Sequence, residues 1–183
     1  MARVLIPLAE GCEELEAVTL IDLFRRAGIE VITAGLQSGP VKASRGTVLL
    51  PDVALDQVLQ EDFDMLVLPG GQPGADHLDR DPRIHQLLQR LTAQERYTAA
   101  ICAAPKVLAS AGLLKGKRAT CYPGAVDAAT YTDTELLSEP VVTDGRLITS
   151  RGPGTAMDFA LQLIEHLLGA EKRREVEGPL LRP

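Results

Sequence analysis

Tyr97-Thr98-Ala99-Ala100-Ile101-Cys102-Ala103-Ala104-Pro105-Lys106-Val107-Leu108-Ala109 sets a short apolar run directly against a helical pattern, with one cysteine at the join. Strand, sharp turn and helix in such quick succession lift a side chain out of a sheet edge. An elbow of this kind is one way to expose a nucleophile, although the glycines that usually flank it are missing here. A thiol beside a helix N-terminus is expected to lose its proton readily, because the helix end stabilises an anion. The alternative is an inert, buried cysteine serving as a small hydrophobe.

Outward from this segment, short β-type runs alternate with helical stretches. Val4-Leu5-Ile6 precedes a helix expected over 13–27 and stopped by Gly28, where a C-cap glycine belongs. Strands are expected at 30–34 and 65–68, the second running into Pro69-Gly70-Gly71. A helix is expected over 83–96, the strand 99–101 feeds Cys102, and a further strand is expected at 118–121. Asp144-Gly145 between two apolar runs signals a tight hairpin, and Val41 to Leu50 reads as a smaller one broken at Arg45-Gly46. The helix over 155–168 has Thr155 and Asp158 spaced for a capping interaction. The charged stretch 171–177 is expected to be solvated, and the apolar tail 178–181 to dock on the body.

This alternation implies an α/β fold with a mostly parallel central sheet and helices on both faces. Function in such folds gathers outside the carboxyl ends of the strands. Three segments end there with chemically suggestive residues: Leu8 to Glu14, Pro69-Gly70-Gly71, and Cys102.

The chain has 183 residues, 45% hydrophobic and 24% charged, which suits a single domain over 1–183 with a full core. A net charge of −6, with no basic stretch longer than Lys172-Arg173-Arg174, disfavours nucleic acid or an anionic membrane as partner. No signal peptide or bilayer-spanning run is evident, and three cysteines without a CxxC point to a reducing, cytoplasmic setting. The cysteines and the three histidines lack metal-ligand spacing, so no metal is expected.

Chemistry at Cys102 needs oxyanion donors and a proton carrier. The amides of Ala103 and of the Gly70-Gly71 pair are candidate donors, since glycine lets backbone approach a substrate closely. A plain strand-to-loop turn is the bland account of the two glycines. For the proton carrier, Glu13-Glu14-Leu15-Glu16 opens the first helix. Glu16 shares a face with Leu20, Leu23 and Ala27, but Glu14 sits equally well with Val18 and Ile21, so periodicity does not choose between them. Whichever turns inward can stay protonated and donate a hydrogen bond to a thiolate.

Four collinear motifs carry a resemblance. Gly11-Cys12-Glu13-Glu14-Leu15-Glu16, Leu68-Pro69-Gly70-Gly71, Ala100-Ile101-Cys102-Ala103-Ala104-Pro105 and Thr149-Ser150-Arg151-Gly152-Pro153-Gly154-Thr155 resemble the ThiJ/PfpI superfamily, within the clade of the parkinsonism-associated protein deglycase and its bacterial relatives. The similarity spans nearly the whole chain and includes 25–28 and Ser44-Arg45. It implies a flavodoxin-like sandwich, a class I glutamine amidotransferase-like domain and a homodimer. It also places the reactive cysteine on Cys102, its buried partner on Glu16 and the oxyanion donors on Gly71 and Ala103. The activity it implies is cofactor-independent conversion of small α-oxoaldehydes such as glyoxal or methylglyoxal, or of their early adducts on protein or nucleotide, to hydroxy acids. The rival is a redox-responsive stress protein or chaperone in which Cys102 is oxidised to a sulfinate with little turnover.

The chain departs from the family pattern where a frequent histidine aligns with Tyr122. A phenol is a poor base at neutral pH, so Glu16 is left to move protons alone. Arg45 is a candidate for holding an anionic substrate group, with a plain surface salt bridge as the commoner role. Cys121 reads as structural, and a transient Cys12–Cys102 disulfide is a minor alternative.

Overall fold

A computed structural model describes residues 1–183. In chain order the elements are β1 (Arg3–Leu8), α1 (Glu14–Arg26), β2 (Glu30–Gly35), β3 (Val41–Lys42), β4 (Val48–Leu49), β5 (Val53–Ala54), β6 (Met65–Leu68), α2 (Gln72–Arg80) and α3 (Pro82–Ala93). They continue with β7 (Tyr97–Ile101), α4 (Pro105–Ser110), β8 (Arg118–Ala119), β9 (Glu135–Leu136), β10 (Val141–Asp144), β11 (Leu147–Ser150), α5 (Ala156–Leu168) and α6 (Ala170–Glu177). Seven strands form one sheet in the order β10-β11-β7-β6-β1-β2-β5, parallel except for β10.

Side chains on a strand alternate between faces, and the core divides accordingly. Val4 and Ile6, Met65 and Val67, and Ala99 and Ile101 belong to the cluster that also takes in α1 and α5. Leu5, Leu66 and Leu68, and Ala100 belong to the opposite cluster, with α3 and α4. Helices therefore cover both faces, as the alternating pattern demanded. The chain steps from β1 outward to β2 and then returns to β6 on the other side of β1. Loops from the carboxyl ends of β1, β6 and β7 consequently meet at this reversal, where open α/β sheets take their ligands.

Strands β1, β2, β6 and β7 lie where the sequence puts them, both hairpins are present, and Gly28 follows α1 with φ +77° as a C-cap glycine does. Several expectations need correction. Residues 72–80 form a helix that the sequence hides behind Gln72-Pro73-Gly74, a triplet with the look of a turn. Pro73 is tolerated there because the first turn of a helix needs none of its own N–H groups. Gly74 is required by contact, since a Cβ on it would stand 2.6 Å from Cys12 Cα. The strand expected over 118–121 shrinks to Arg118–Ala119 and leaves the main sheet to pair with Glu135–Leu136. The hairpin turn falls one residue later than expected, on Gly145-Arg146, because Asp144 pairs with Leu147.

Thr155 does not cap α5 with its side chain. Its hydroxyl donates to Gly152 O at 2.9 Å, and Asp158 is instead bound by Arg182. The charged stretch becomes α6, pinned by Arg173 to Glu165 and with Val176 buried against the core. The apolar tail docks only in part, for Leu180 packs on the core while Leu181 is exposed. No helix is long and apolar enough to cross a membrane.

Candidate active site

Cys102 leaves β7 with φ +64°, a left-handed conformation that few non-glycine residues adopt. Such a residue costs about 1–3 kcal/mol and persists only where its surroundings hold it. Here Cys102 N–H donates to Ser150 O at 3.0 Å, and Cys102 O accepts from Tyr122 N–H at 2.8 Å. The expected elbow is present, clamped from both sides by backbone. The amides of Gly71 and Ala103 lie close enough to its sulfur to pull the thiol's pKa down.

Gly70 and Gly71 bring a second loop hard against this turn. A Cβ on Gly70 would lie 2.6 Å from Cys102 Cβ and 2.7 Å from Glu16 Oε2. Gly71 has φ +83°, and a Cβ on it would lie 2.4 Å from Gly11 O. Any side chain at either position would therefore displace backbone or the reacting groups themselves. The third loop is tied in through Glu13 N–H, which donates to Gly70 O at 2.9 Å.

The ambiguity between Glu14 and Glu16 is resolved. Glu16 is fully buried, and its Oε2 accepts the Gly70 N–H at 2.7 Å. Its Oε1 is buried without a well-aligned partner, and Cys102 is the neighbouring side chain whose hydrogen bonding and charge answer to it. Glu14 turns outward to the β3–β4 hairpin, accepting from Ser44 Oγ and from the Arg45 and Thr47 amides.

Burial raises Glu16 to about 7, against the lowering effect of the Gly70 amide and of the thiol. Burial, followed by the charge and hydrogen bond of Glu16, pushes the Cys102 thiol up to about 12, while the Gly71 and Ala103 amides pull it down. This corrects the expectation of a readily ionised thiol. The helix after Cys102 has only six residues, and its end effect is overruled by desolvation as long as Glu16 is charged. Two buried acids this close do not both ionise near neutrality, so the pair holds one proton.

The remaining residues divide. A cavity of about 490 Å³ opens over Gly71, lined among others by Glu13, Lys42, Ser44 and Arg45. Arg45 is exposed there and forms no ion pair, so the plain salt bridge is not its role. Tyr122 is half-exposed, and what it gives the elbow is its backbone N–H. All three cysteines are free thiols. Cys12 lies in the same core cluster as Cys102, its thiol raised to about 11 by burial and then by Glu14. Cys121 is buried in the opposite cluster, in keeping with a structural part.

The sequence reading missed Ser150, whose carbonyl holds Cys102 and whose hydroxyl donates to Pro140 O at 2.8 Å and meets Thr155 Oγ1 at 2.7 Å. Its place inside a Ser-Arg-Gly-Pro-Gly loop was the available signal. No group of three or more histidine, cysteine or acidic side chains is placed to hold a metal ion.

Comparison with known proteins bears directly on this arrangement. Residues 2–166 match the model of the DJ-1/PfpI family. The chain is 39% identical over 179 residues to the glutathione-independent glyoxalase DJR-1.2 of Caenorhabditis elegans, covering 98% of this chain and 95% of that one. The crystal structure of Drosophila melanogaster DJ-1beta superposes with a TM-score of 0.94 at 43% identity, covering 100% of this chain and 98% of the other. A structure described as oxidised DJ-1 from Toxoplasma gondii gives a TM-score of 0.92 at 36% identity, covering 99% and 98%.

Proposed function

The chain belongs to the DJ-1/PfpI family, and from that premise we propose that it is a cofactor-independent cysteine enzyme acting on small α-oxoaldehydes or their early adducts. The observation that carries this reading is the juxtaposition of a buried carboxyl and a thiol whose sulfur is faced by two backbone amides.

When the Cys102–Glu16 pair gives up its first proton, one negative charge must reside on it. Two N–H groups face the sulfur, whereas the Glu16 carboxylate has one, the Gly70 amide on Oε2, and none on Oε1. The form that reacts carries the charge on sulfur and the proton on the carboxyl, and the two amides favour it because a hydrogen bond to a charged form stabilises that form. The thiolate then attacks the aldehyde carbon, and the alkoxide formed beside the Gly71 and Ala103 amides takes the Glu16 proton to give a hemithioacetal, which leaves Glu16 as a carboxylate. Glu16 removes the proton from that carbon and returns one to the adjacent former ketone carbon, leaving a thioester. Water cleaves the thioester to a hydroxy acid and restores the thiol. One substrate carbon is oxidised and its neighbour reduced, so no external redox partner is consumed. The C. elegans relative's name, a glutathione-independent glyoxalase, supports this reading.

Lactate measured during incubation of the pure protein with methylglyoxal is the direct test. Turnover abolished by Cys102→Ala is the expected result, and equal turnover in the variant would overturn the assignment.

The second reading, a redox-responsive protein in which Cys102 takes up two oxygens, is favoured by the absence of a histidine base, Tyr122 standing at that place, and by the oxidised Toxoplasma relative. Mass spectrometry after mild peroxide separates the two. A gain of two oxygens confined to Cys102, with negligible turnover, selects the sensor.

In this proposal the whole chain acts as one domain in the cytoplasm, as a homodimer. Leu15 and Val18 on α1 and Val48 and Leu50 around β4 are large exposed apolar residues, and Glu14 ties the two elements together. Such a patch is a surface for a second copy. Light scattering giving a monomer mass would remove that part.

A further inference from the structure

The carboxyl ends of β1 and β2 open on a second cavity of about 380 Å³, lined by Leu8, Glu10, Leu36, Val41, His77 and Arg80 among others. Of the residues lining the cavity over Gly71, it shares only Glu10. A volume of this size at strand carboxyl ends suits a small ligand.

The walls sort by chemistry. Leu8, Leu36 and Val41 supply apolar surface. Asp81 is taken up by Arg83, which donates to it from its backbone amide at 2.9 Å and from its guanidinium at 2.5 and 2.9 Å. Glu10 Oε1 accepts the Lys42 amide at 3.1 Å. His77 Nδ1 donates to Glu10 O at 2.8 Å, the carbonyl being able only to accept. Arg80, on the last turn of α2, forms neither a hydrogen bond nor an ion pair. Asp81 is thus paired with Arg83 and Glu10 holds one backbone amide, while the Arg80 side chain has no partner in a lining that also supplies apolar wall.

We propose that this cavity binds a small amphipathic carboxylate, its aliphatic part against Leu8, Leu36 and Val41 and its carboxylate on the Arg80 guanidinium. A planar guanidinium matches a carboxylate through paired N–H···O bonds, and such charge-assisted pairs are stronger than neutral ones. A neutral molecule of the same shape would gain only the apolar contact, and a cation would meet the unpaired Arg80 with Asp81 already held by Arg83 and only the solvent-exposed Glu10 to offset it. The site does not depend on chemistry at Cys102, so its test reads binding and not turnover.

The experiment is an amide NMR titration of the full chain with hexanoate, hexylammonium and hexan-1-ol as probes. Hexanoate is expected to shift the amides of Leu36, Gln37, Ser38, His77 and Arg80 and to bind more tightly than either of the others. Arg80→Gln weakens hexanoate about tenfold, Arg80→Lys falls between, and Cys102→Ser leaves the affinity unchanged. Three results would each overturn the site: hexanoate binding no better than hexylammonium, full affinity in Arg80→Gln, or shifts centred on Gly71 that vanish in Cys102→Ser. Arg80 is exposed and unpartnered, so its variants retain the fold, and the wild-type dispersion of the remaining amides verifies that directly.

Discussion

Glu14 and Glu16 leave the same turn of α1 two residues apart and face opposite regions of the molecule. The outward region is a set of donors. Although partial burial works against it, hydrogen bonds from Arg45, Ser44 and Thr47 and from its own amide hold Glu14 at about 2. The inward region is an apolar core with one amide to offer, and there burial raises Glu16 to about 7. Helix position is nearly the same for both, so the helix end does not account for the difference. What separates them is the number of N–H and O–H groups that meet each carboxylate once water is gone.

Substitutions at the two sites break this contrast in order of size. Glu16→Gln removes the proton carrier while keeping the shape, and lactate formation from methylglyoxal is expected to fall by about two to four orders of magnitude. Thiolate absorbance tests the same site in the wild type. It is expected to appear as the pair ionises near neutrality, and a signal that waits until about pH 12 would show that the proton stays on sulfur, which removes the nucleophile.

The next effect is on stability. A carboxyl whose folded pKa is raised keeps its proton where the unfolded chain has already released it. Unfolding therefore becomes easier as pH climbs from the ordinary glutamate value through about 7, with a total cost of about 3 kcal/mol. Urea unfolding across pH 4.5–7.5 is expected to show that loss in the wild type relative to Glu16→Gln, which has no carboxyl to titrate there. Parallel pH profiles for the two proteins would mean that Glu16 is not held neutral by burial.

The sequence carried much of the fold and half of this contrast. Strand parity was legible because inner parallel strands are apolar on both faces, and the elbow at Cys102 because Ile101 and Pro105 bracket it so closely. The choice between Glu14 and Glu16 was not, since each has apolar neighbours at helical spacing. Only the fold shows that Val18 is exposed while Leu20 and Leu23 are buried. The state of the thiol was misread for a related reason, because a sequence displays the start of a helix but not the depth of the cysteine beside it. Helix α2 was hidden because it opens on a turn-like Gln72-Pro73-Gly74, two of whose residues are fixed by contact: Gly74 packs on Cys12, and Pro73 on Gly11, whose added Cβ would fall 2.6 Å from the proline.

The smallest effect is the one that sharpens the comparison most. Glu14→Gln exchanges a charged acceptor for a neutral one at the Arg45 and Thr47 amides, and a loss of about 1 kcal/mol is expected. The sign of its pH dependence is opposite to that of Glu16. A depressed carboxyl stabilises the fold above its ordinary range, and that contribution fades as pH falls toward 2. Ser44 keeps its bond to Glu13 at 3.0 Å, so the β3–β4 hairpin stays attached and loses hydrogen-exchange protection only locally, around 43–48. Iodoacetamide should alkylate Cys102 in this variant within about twofold of the wild-type rate, because the charge removed belongs to the solvated face and charges there are well screened. A change in alkylation as large as that of Glu16→Gln would mean that the two faces of α1 are electrostatically one region, and the contrast between them would have to be abandoned.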